Sequence, residues 1–398
     1  MPRKPPVAGP YILRLAACLV GVLALAAAEL GLRCVVPATR LDNILALLRP
    51  DSELLWTQKP RLRADFFGTA VATDDLGLRL AAAPRGSGRV RVLALGASPT
   101  FGWGVPADAT YAALLRELLA AEVVNGGIIG YSTHQGLGFL KRYWDRLRPD
   151  IVTIAYVIND VDSYRFFRSG GGPDKALRPA PGALTAARGA VSRLALYRLL
   201  RRLLRRGAKT ACPGEVRVSL EDYRANLKRL VELVRERGAE PVFVKMPVNL
   251  PRGKDPADPE FARGSLRAGR TLMDKGDCRA AAEAFRQALE ADPHLGRAHY
   301  YLGECARRLG RSKDAAEHFR RVKEAESRRC ARDAVRYNAA MEELGRELGV
   351  PLADAAAAFG RHPDEYLFVD RNSDTIHPNA AGHRVIADEL ARLLRNQK

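Results

Sequence analysis

A doubly wound α/β domain, with helices on both faces of a mostly parallel sheet, is the fold class this 398-residue sequence predicts. Three observations carry it. Short apolar runs alternate with segments of helical spacing from Val90 onward. The run at 150–157 lacks polar alternation, as central parallel strands do. The run at 89–95 leads directly into Gly96-Ala97-Ser98-Pro99-Thr100-Phe101-Gly102, a small-residue turn of the kind that ends a strand and starts a helix.

Taken in order, the chain opens with Arg3, Lys4 and Arg14 ahead of an apolar run at 15–32, broken only by Glu29. That run is long enough to span a bilayer as a helix. Positive charge before it places residues 1–14 in the cytoplasm and the bulk of the chain outside, anchored in the inner (cytoplasmic) membrane by a single pass. Ala24-Leu25-Ala26 and Ala26-Ala27-Ala28 also fit a signal-peptidase site, so a cleaved signal peptide stays open. Leu15-Ala16-Ala17-Cys18 looks like a lipoprotein box, but its apolar region follows the cysteine instead of preceding it. Residues 33–88 read as a juxtamembrane segment.

Strand 90–95 comes next. A helix at 111–121 is signalled by Leu114, Leu115, Leu118 and Leu119, then a short strand at 122–125, a helix at 135–148 and the strand at 150–157. Residues 169–172 with Pro173, Pro179 and Pro181 break the pattern. They begin an insertion at 169–214 holding a basic amphipathic helix at 191–206, with six arginines among six leucines. Such a helix suits an anionic membrane surface or packs its leucines on the domain. A helix at 221–238 and a strand at 241–246 resume the domain.

A second insertion, 258–330, contains an internal repeat. Gly276, Ala281, Ala282 and Phe285 recur 34 positions later as Gly310, Ala315, Ala316 and Phe319. The period and the small residues resemble two tetratricopeptide units over 262–329, with a plain helical hairpin as the other reading. Two units rarely stand alone, so their ends are expected to lean on the neighbouring domain. A helix at 334–348, a strand at 350–353 and a helix at 379–396 complete the α/β domain, which thus occupies 89–257 and 331–398.

Composition narrows the function. An apolar share of 47% is that of a globular protein. Net charge is +19, yet the arginines are scattered and no zinc knuckle, helix-turn-helix or RNP-type signature accompanies them, so no nucleic-acid partner is expected. Six cysteines show neither a CxxC pair nor metal-ligand spacing. No metal, cofactor or disulfide framework is expected, with a Cys305–Cys330 bond left open.

Ser98 stands where an α/β sheet places its ligands, at the C-terminal end of a strand. A hydroxyl needs a base to become a nucleophile. Of seven histidines, His377 alone follows an aspartate by three, in Asp374-Thr375-Ile376-His377-Pro378 at a helix start. Asp374 can hold one ring nitrogen while the other faces Ser98. His134 is a second pocket candidate. Gly130, in a glycine-rich loop after the 122–125 strand, offers an unobstructed backbone N–H. Asn159, in Val157-Ile158-Asn159-Asp160, offers an amide donor to developing negative charge.

In this order the residues resemble the SGNH (GDSL-like) hydrolase family over about 89–168, 215–257 and 331–396. The resemblance implies a flavodoxin-like three-layer α/β/α sandwich and a metal-free ester mechanism through an acyl-enzyme. By it, Ser98 is the nucleophile, His377 the base and Asp374 its orienting partner. Ser98, Gly130 and Asn159 supply the oxyanion hole. Thr73-Asp74-Asp75-Leu76-Gly77-Leu78-Arg79 is similar to a segment that precedes the first block in anchored bacterial members. Two positions depart from the pattern: Ala97 replaces an aspartate outside the triad, and Val157 replaces a glycine and adds bulk beside Asn159. The expected function is an extracytoplasmic serine esterase on small O-acyl or acetyl esters. An O-acyltransferase acting on a cell-envelope glycan, or a scaffold that binds a protein through its repeats and keeps a vestigial hydrolase domain, are the alternatives.

Overall fold

The computed structural model describes residues 9–36, 40–81, 90–162, 173–177, 194–197, 199–200, 216–249, 258–369 and 376–396. The chain divides into two compact units, one of residues 1–49 and 181–209 and the other of 50–180 and 210–398. In the first, helix α1 (Gly9–Val35) carries a 22-residue window, Arg14–Val35, long and apolar enough to cross a membrane. Helix α2 (Arg40–Leu47) follows. The Glu29 carboxylate accepts the backbone N–H groups of Ala195 and Leu196 at 2.8 and 3.1 Å, so this lone acidic residue in the apolar helix is hydrogen-bonded. Most of the expected basic helix at 191–206, like the 169–172 break, lies outside the described residues.

After the short strand β1 (Leu48–Asp51), the second unit has strand β2 (Leu55–Gln58) and a hairpin of β3 (Arg63–Phe66) and β4 (Thr69–Ala72). The segment read as juxtamembrane is therefore folded over much of its length. Leu54, Trp56, Phe66, Val71 and Leu78 are buried there, and each such side chain contributes roughly 1.5–3 kcal/mol on leaving water.

The central sheet has five parallel strands in the order β6-β5-β7-β8-β9. These are β5 (Arg91–Gly96), β6 (Glu122–Gly127), β7 (Ile151–Ala155), β8 (Glu240–Val244) and β9 (Leu352–Ala353). This is the flavodoxin-like strand order, with the first strand at the point where the order reverses. Every expected strand is present, though β9 is only two residues long and β7 ends before Tyr156. Helices α3 (Ser98–Phe101), α4 (Tyr111–Leu119), α5 (Thr133–Leu147), α6 (Ile158–Val161) and α7 (Leu220–Glu236) connect the first four strands. Val92, Ala94, Leu95, Val152, Ile154, Val242, Phe243 and Val244 have essentially no exposure, so the sheet is covered on both faces.

The insertion is four helices: α8 (Pro259–Asp274), α9 (Cys278–Ala291), α10 (Gly296–Arg308) and the 37-residue α11 (Ser312–Leu348). A Cβ on Gly269 would stand 2.5 Å from the Phe285 ring, and one on Gly303 would stand 2.6 Å from Phe319. Both glycine–phenylalanine pairs recur with the 34-residue spacing, and each lets adjacent helices close around a large ring. Helix α11 runs unbroken across residue 330 into the α/β domain. There Tyr337 Oη donates to Val218 O at 2.8 Å and Asn338 Nδ2 to Met246 O at 2.9 Å. Cys278, Cys305 and Cys330 are buried thiols, so Cys305 and Cys330 are not bridged. Helices α12 (Ala355–Gly360) and α13 (Ala380–Arg395) end the chain, and Asn379 caps α13 by accepting the Gly382 N–H at 3.0 Å.

The turn carrying Ser98 sits on the end of β6. A Cβ on Gly127 would lie 2.1 Å from the backbone nitrogen of Phe101. Gly127→Ala should therefore cost about 1–3 kcal/mol by forcing the two backbones apart. Gly264→Ala, in open space within α8, should be neutral or stabilising by up to about 1 kcal/mol. Denaturant midpoints of the two variants check this; equal midpoints would contradict the close packing at Gly127.

Candidate active site

Ser98 is the first residue of α3, immediately past β5, and is nearly buried. Its Oγ lies 2.9 Å from His377 Nε2, across 279 positions of sequence. Local structure explains how His377 is held. Phe368 and Pro378 form an isolated antiparallel bridge, Val369 N donates to His377 O at 2.9 Å, and Asn379 N donates to Leu367 O at 2.9 Å. The imidazole stacks on Trp103, with centroids 4.8 Å apart and planes 23° from parallel. Trp103 in turn stacks on Phe67 at 5.0 Å. A serine hydroxyl at hydrogen-bond distance from a ring nitrogen can pass its proton to that nitrogen as it attacks a carbonyl. Asp374 lies outside the described residues.

Gly130 and Asn159 stand beyond the ends of β6 and β7, the two strands that flank β5. Gly130 has φ +79°, a left-handed conformation that glycine adopts freely. Asn159 Nδ2 donates one of its two N–H groups to Tyr131 O at 2.9 Å, linking the two loops. Val157, buried, directly precedes the α6 turn that carries Asn159.

The loop after Ser98 is braced by Arg79, the last residue of the segment noted before the first block. Its Nη1 donates to Phe101 O at 2.9 Å and to Gly102 O at 2.5 Å, and its Nη2 to Val105 O at 2.7 Å. Burial lowers its pKa to about 10. A second buried arginine, Arg217, pairs with Asp174 at 2.8 Å and donates to Gly130 O at 2.6 Å. Neither role is visible in local sequence, since each joins groups far apart in the chain. An arginine inside an otherwise apolar or polar-uncharged stretch, as in Gly77-Leu78-Arg79-Leu80, is the one available signal.

The other histidines do other things. His383 accepts the Tyr111 N–H on Nδ1 at 3.1 Å, and burial lowers its pKa to about 3. His134 stands in the first turn of α5, half-buried, with its pKa lowered by burial; no contact with Ser98 occurs among the described residues. There, too, no group of three or more His, Cys, Asp or Glu side chains is placed to hold a metal ion.

The GDSL-like Lipase/Acylhydrolase family matches residues 94–275, and the Tetratricopeptide repeat family matches 266–328. The first match marks the protein as a hydrolase acting on ester bonds. The chain is thus similar to a GDSL-like lipase/acylhydrolase domain over 94–275 and to a tetratricopeptide repeat over 266–328, the two stretches overlapping at 266–275. The matched stretch stops well before His377, so the Ser98–His377 contact is an observation independent of it.

Three solved structures are similar at low identity. An α/β hydrolase from the metagenome of Lake Arreo, Spain, is 16% identical (TM-score 0.39; 78% of this chain and 97% of that one covered). A lipase/acylhydrolase from Enterococcus faecalis is 13% identical (TM-score 0.39; 77% and 96%). The acetylxylan esterase Axe2 from Geobacillus stearothermophilus is 16% identical (TM-score 0.36; 78% and 96%). No curated protein sequence matches the chain.

Asp160, next to Asn159, is fully buried and accepts from Thr133 N and Oγ1 at 2.9 and 2.5 Å. Burial nevertheless pushes its carboxyl up from 3.8 to about 7. The folded state thus holds this proton more tightly than the unfolded chain does. The associated stability is present in acid and is lost as pH rises through about 7. Asp160→Asn keeps the acceptor for Thr133 and removes the titration. It should flatten the fall in stability between about pH 4 and 7, where this carboxyl contributes a slope of up to about 1.4 kcal/mol per pH unit. Thermal melts across that range check this, and an unchanged slope would contradict it.

Proposed function

We propose that this protein is a serine esterase that cleaves small O-acyl esters through an acyl-enzyme. The observation that carries the reading is the 2.9 Å approach of Ser98 Oγ to His377 Nε2 at the C-terminal edge of the sheet. In the proposed reaction Ser98 Oγ bonds to the ester carbonyl carbon while its proton passes to His377 Nε2. Asp374 holds the other ring nitrogen and stabilises the imidazolium. The carbonyl oxygen, now anionic, takes hydrogen bonds from the backbone N–H groups of Ser98 and Gly130 and from the Asn159 amide. The imidazolium then protonates the leaving alcohol as the C–O bond breaks. Water attacks the acyl-enzyme by the same steps, releasing the acid and restoring Ser98.

Two features support the finer parts of this reading. Val157 places a branched side chain just ahead of Asn159, which favours a short acyl group such as acetyl. The apolar window of α1, preceded by Arg3 and Lys4 and opening on Arg14, supports a single-pass inner-membrane anchor with the hydrolase domain on the extracytoplasmic side. A cell-envelope glycan bearing acyl groups is an ester-rich substrate on that side. The tetratricopeptide segment offers a surface for a protein partner.

Ser98→Ala should lower turnover of p-nitrophenyl acetate by at least about 10³-fold while leaving the melting temperature unchanged. Steady-state kinetics on the detergent-solubilised full-length chain check this. Turnover unchanged from wild type would overturn the assignment of Ser98.

A further inference from the structure

We infer that Trp56, in strand β2 and outside the matched hydrolase stretch, is a positioning residue for the oxyanion hole, with Arg217 as its brace. The inference rests on the role proposed above for the Gly130 N–H.

The loop at 128–131 has its four carbonyls taken one by one. Ile128 O accepts the Tyr131 N–H at 3.2 Å, closing the turn on itself. The other three are held from outside the loop. Trp56 Nε1 donates to Ile129 O at 2.9 Å, Arg217 Nη1 donates to Gly130 O at 2.6 Å, and Asn159 Nδ2 donates to Tyr131 O at 2.9 Å. The loop's first N–H is also committed, since Ile128 N donates to Gly96 O at 3.1 Å at the end of β5. Ile129 N donates to Gln58 Oε1 at 3.4 Å.

The bond from Trp56 matters most because of peptide geometry. Ile129 O and the Gly130 N–H are opposite ends of one rigid, planar, trans peptide group. Fixing the carbonyl in one direction therefore fixes the N–H in the opposite direction. Gly130 at φ +79° has no side chain to hold the plane by packing, so an outside hydrogen bond has to do it. A donor on the carbonyl also draws electron density from the amide and strengthens its N–H as a donor.

The indole is itself held firmly. Trp56 is fully buried, Tyr131 Oη donates to Trp56 O at 2.8 Å, and the Arg217 guanidinium lies 5.3 Å from the Trp56 ring centre. Arg217 is fixed by Asp174 and by Gln135 Oε1 at 2.5 Å. Ser132 Oγ donates to Asp174 Oδ2 at 2.7 Å, which ties the frame to the start of α5. A polar frame from three distant parts of the chain thus aims one peptide.

The test compares the full-length, detergent-solubilised protein with two variants at Trp56. One is Trp56→Phe. The other replaces Trp56 by 3-benzothienylalanine, which keeps the ring shape and swaps the indole N–H for sulfur. Losing an oxyanion donor outright costs on the order of 10²–10³ in kcat, so losing the group that aims one should cost about 10- to 100-fold. KM for p-nitrophenyl acetate should stay within about twofold, because the ground-state carbonyl does not depend on that donor as the tetrahedral oxyanion does. Labelling by a fluorophosphonate should slow by a similar factor yet still map to Ser98.

Wild-type kcat in the folded benzothienyl variant would overturn the inference, whatever Trp56→Phe does. So would a loss that tracks only the fraction of folded protein. Full turnover by Ser98→Ala would overturn the reading of the site on which the inference rests, and the two failures are told apart in the same assay.

Discussion

The contact between Ser98 and His377 is the constraint around which the domain is arranged. Its two partners are 279 positions apart, and each is fixed by a different part of the fold. Ser98 is set by the end of β5, where close packing of its turn on Gly127 permits only glycine in the facing strand. His377 is set by the 368–378 bridge and by the capped start of α13. That helix has to dock against α4, and the buried hydrogen bond from Tyr111 N to His383 Nδ1 joins the two. The insertion between the halves leaves this geometry intact because α11 continues as one helix from the repeats into the domain, bonded to the ends of 216–218 and β8.

Around that contact the protein keeps several charged side chains buried. Arg79, Asp160, Asp174 and Arg217 are all buried, and burying charge is costly unless partners are supplied. The two arginines meet that cost by donating to main-chain carbonyls of the 101–105 and 128–131 loops, and Arg217 has a carboxylate partner as well. Packing by apolar side chains would hold these loops in place but would not orient individual peptide groups. Hydrogen bonds do both, which accounts for their concentration at the C-terminal edge of the sheet.

Much of this was legible in the sequence, for physical reasons. Strands β5 and β7 are apolar runs without alternation because both sheet faces are covered. Ser98 follows such a run and Gly130 the short strand β6, at turns whose small residues are needed for close approach, and the repeat declared itself by its 34-residue period. What was illegible depends on contacts between remote segments. Residues 50–81 form only short strands, β2 buried at every position with no alternation to show in the sequence, so the segment read as juxtamembrane although Trp56 of β2 reaches the Gly130 loop. The bracing roles of Arg79 and Arg217 join remote segments, and their one local sign is an arginine set in an apolar stretch. The continuity of α11 across residue 330 was hidden because the repeat's last helix and the domain's next helix each have their own apolar face.

The central claim is that Ser98 is an activated nucleophile with His377 as its base. Fluorophosphonate labelling of the full-length protein, with the modified peptide mapped by mass spectrometry, tests it most directly. The account predicts a single adduct on Ser98 that is lost in Ser98→Ala and strongly suppressed in His377→Ala. Labelling at another residue, or undiminished labelling of Ser98 in His377→Ala, would contradict it.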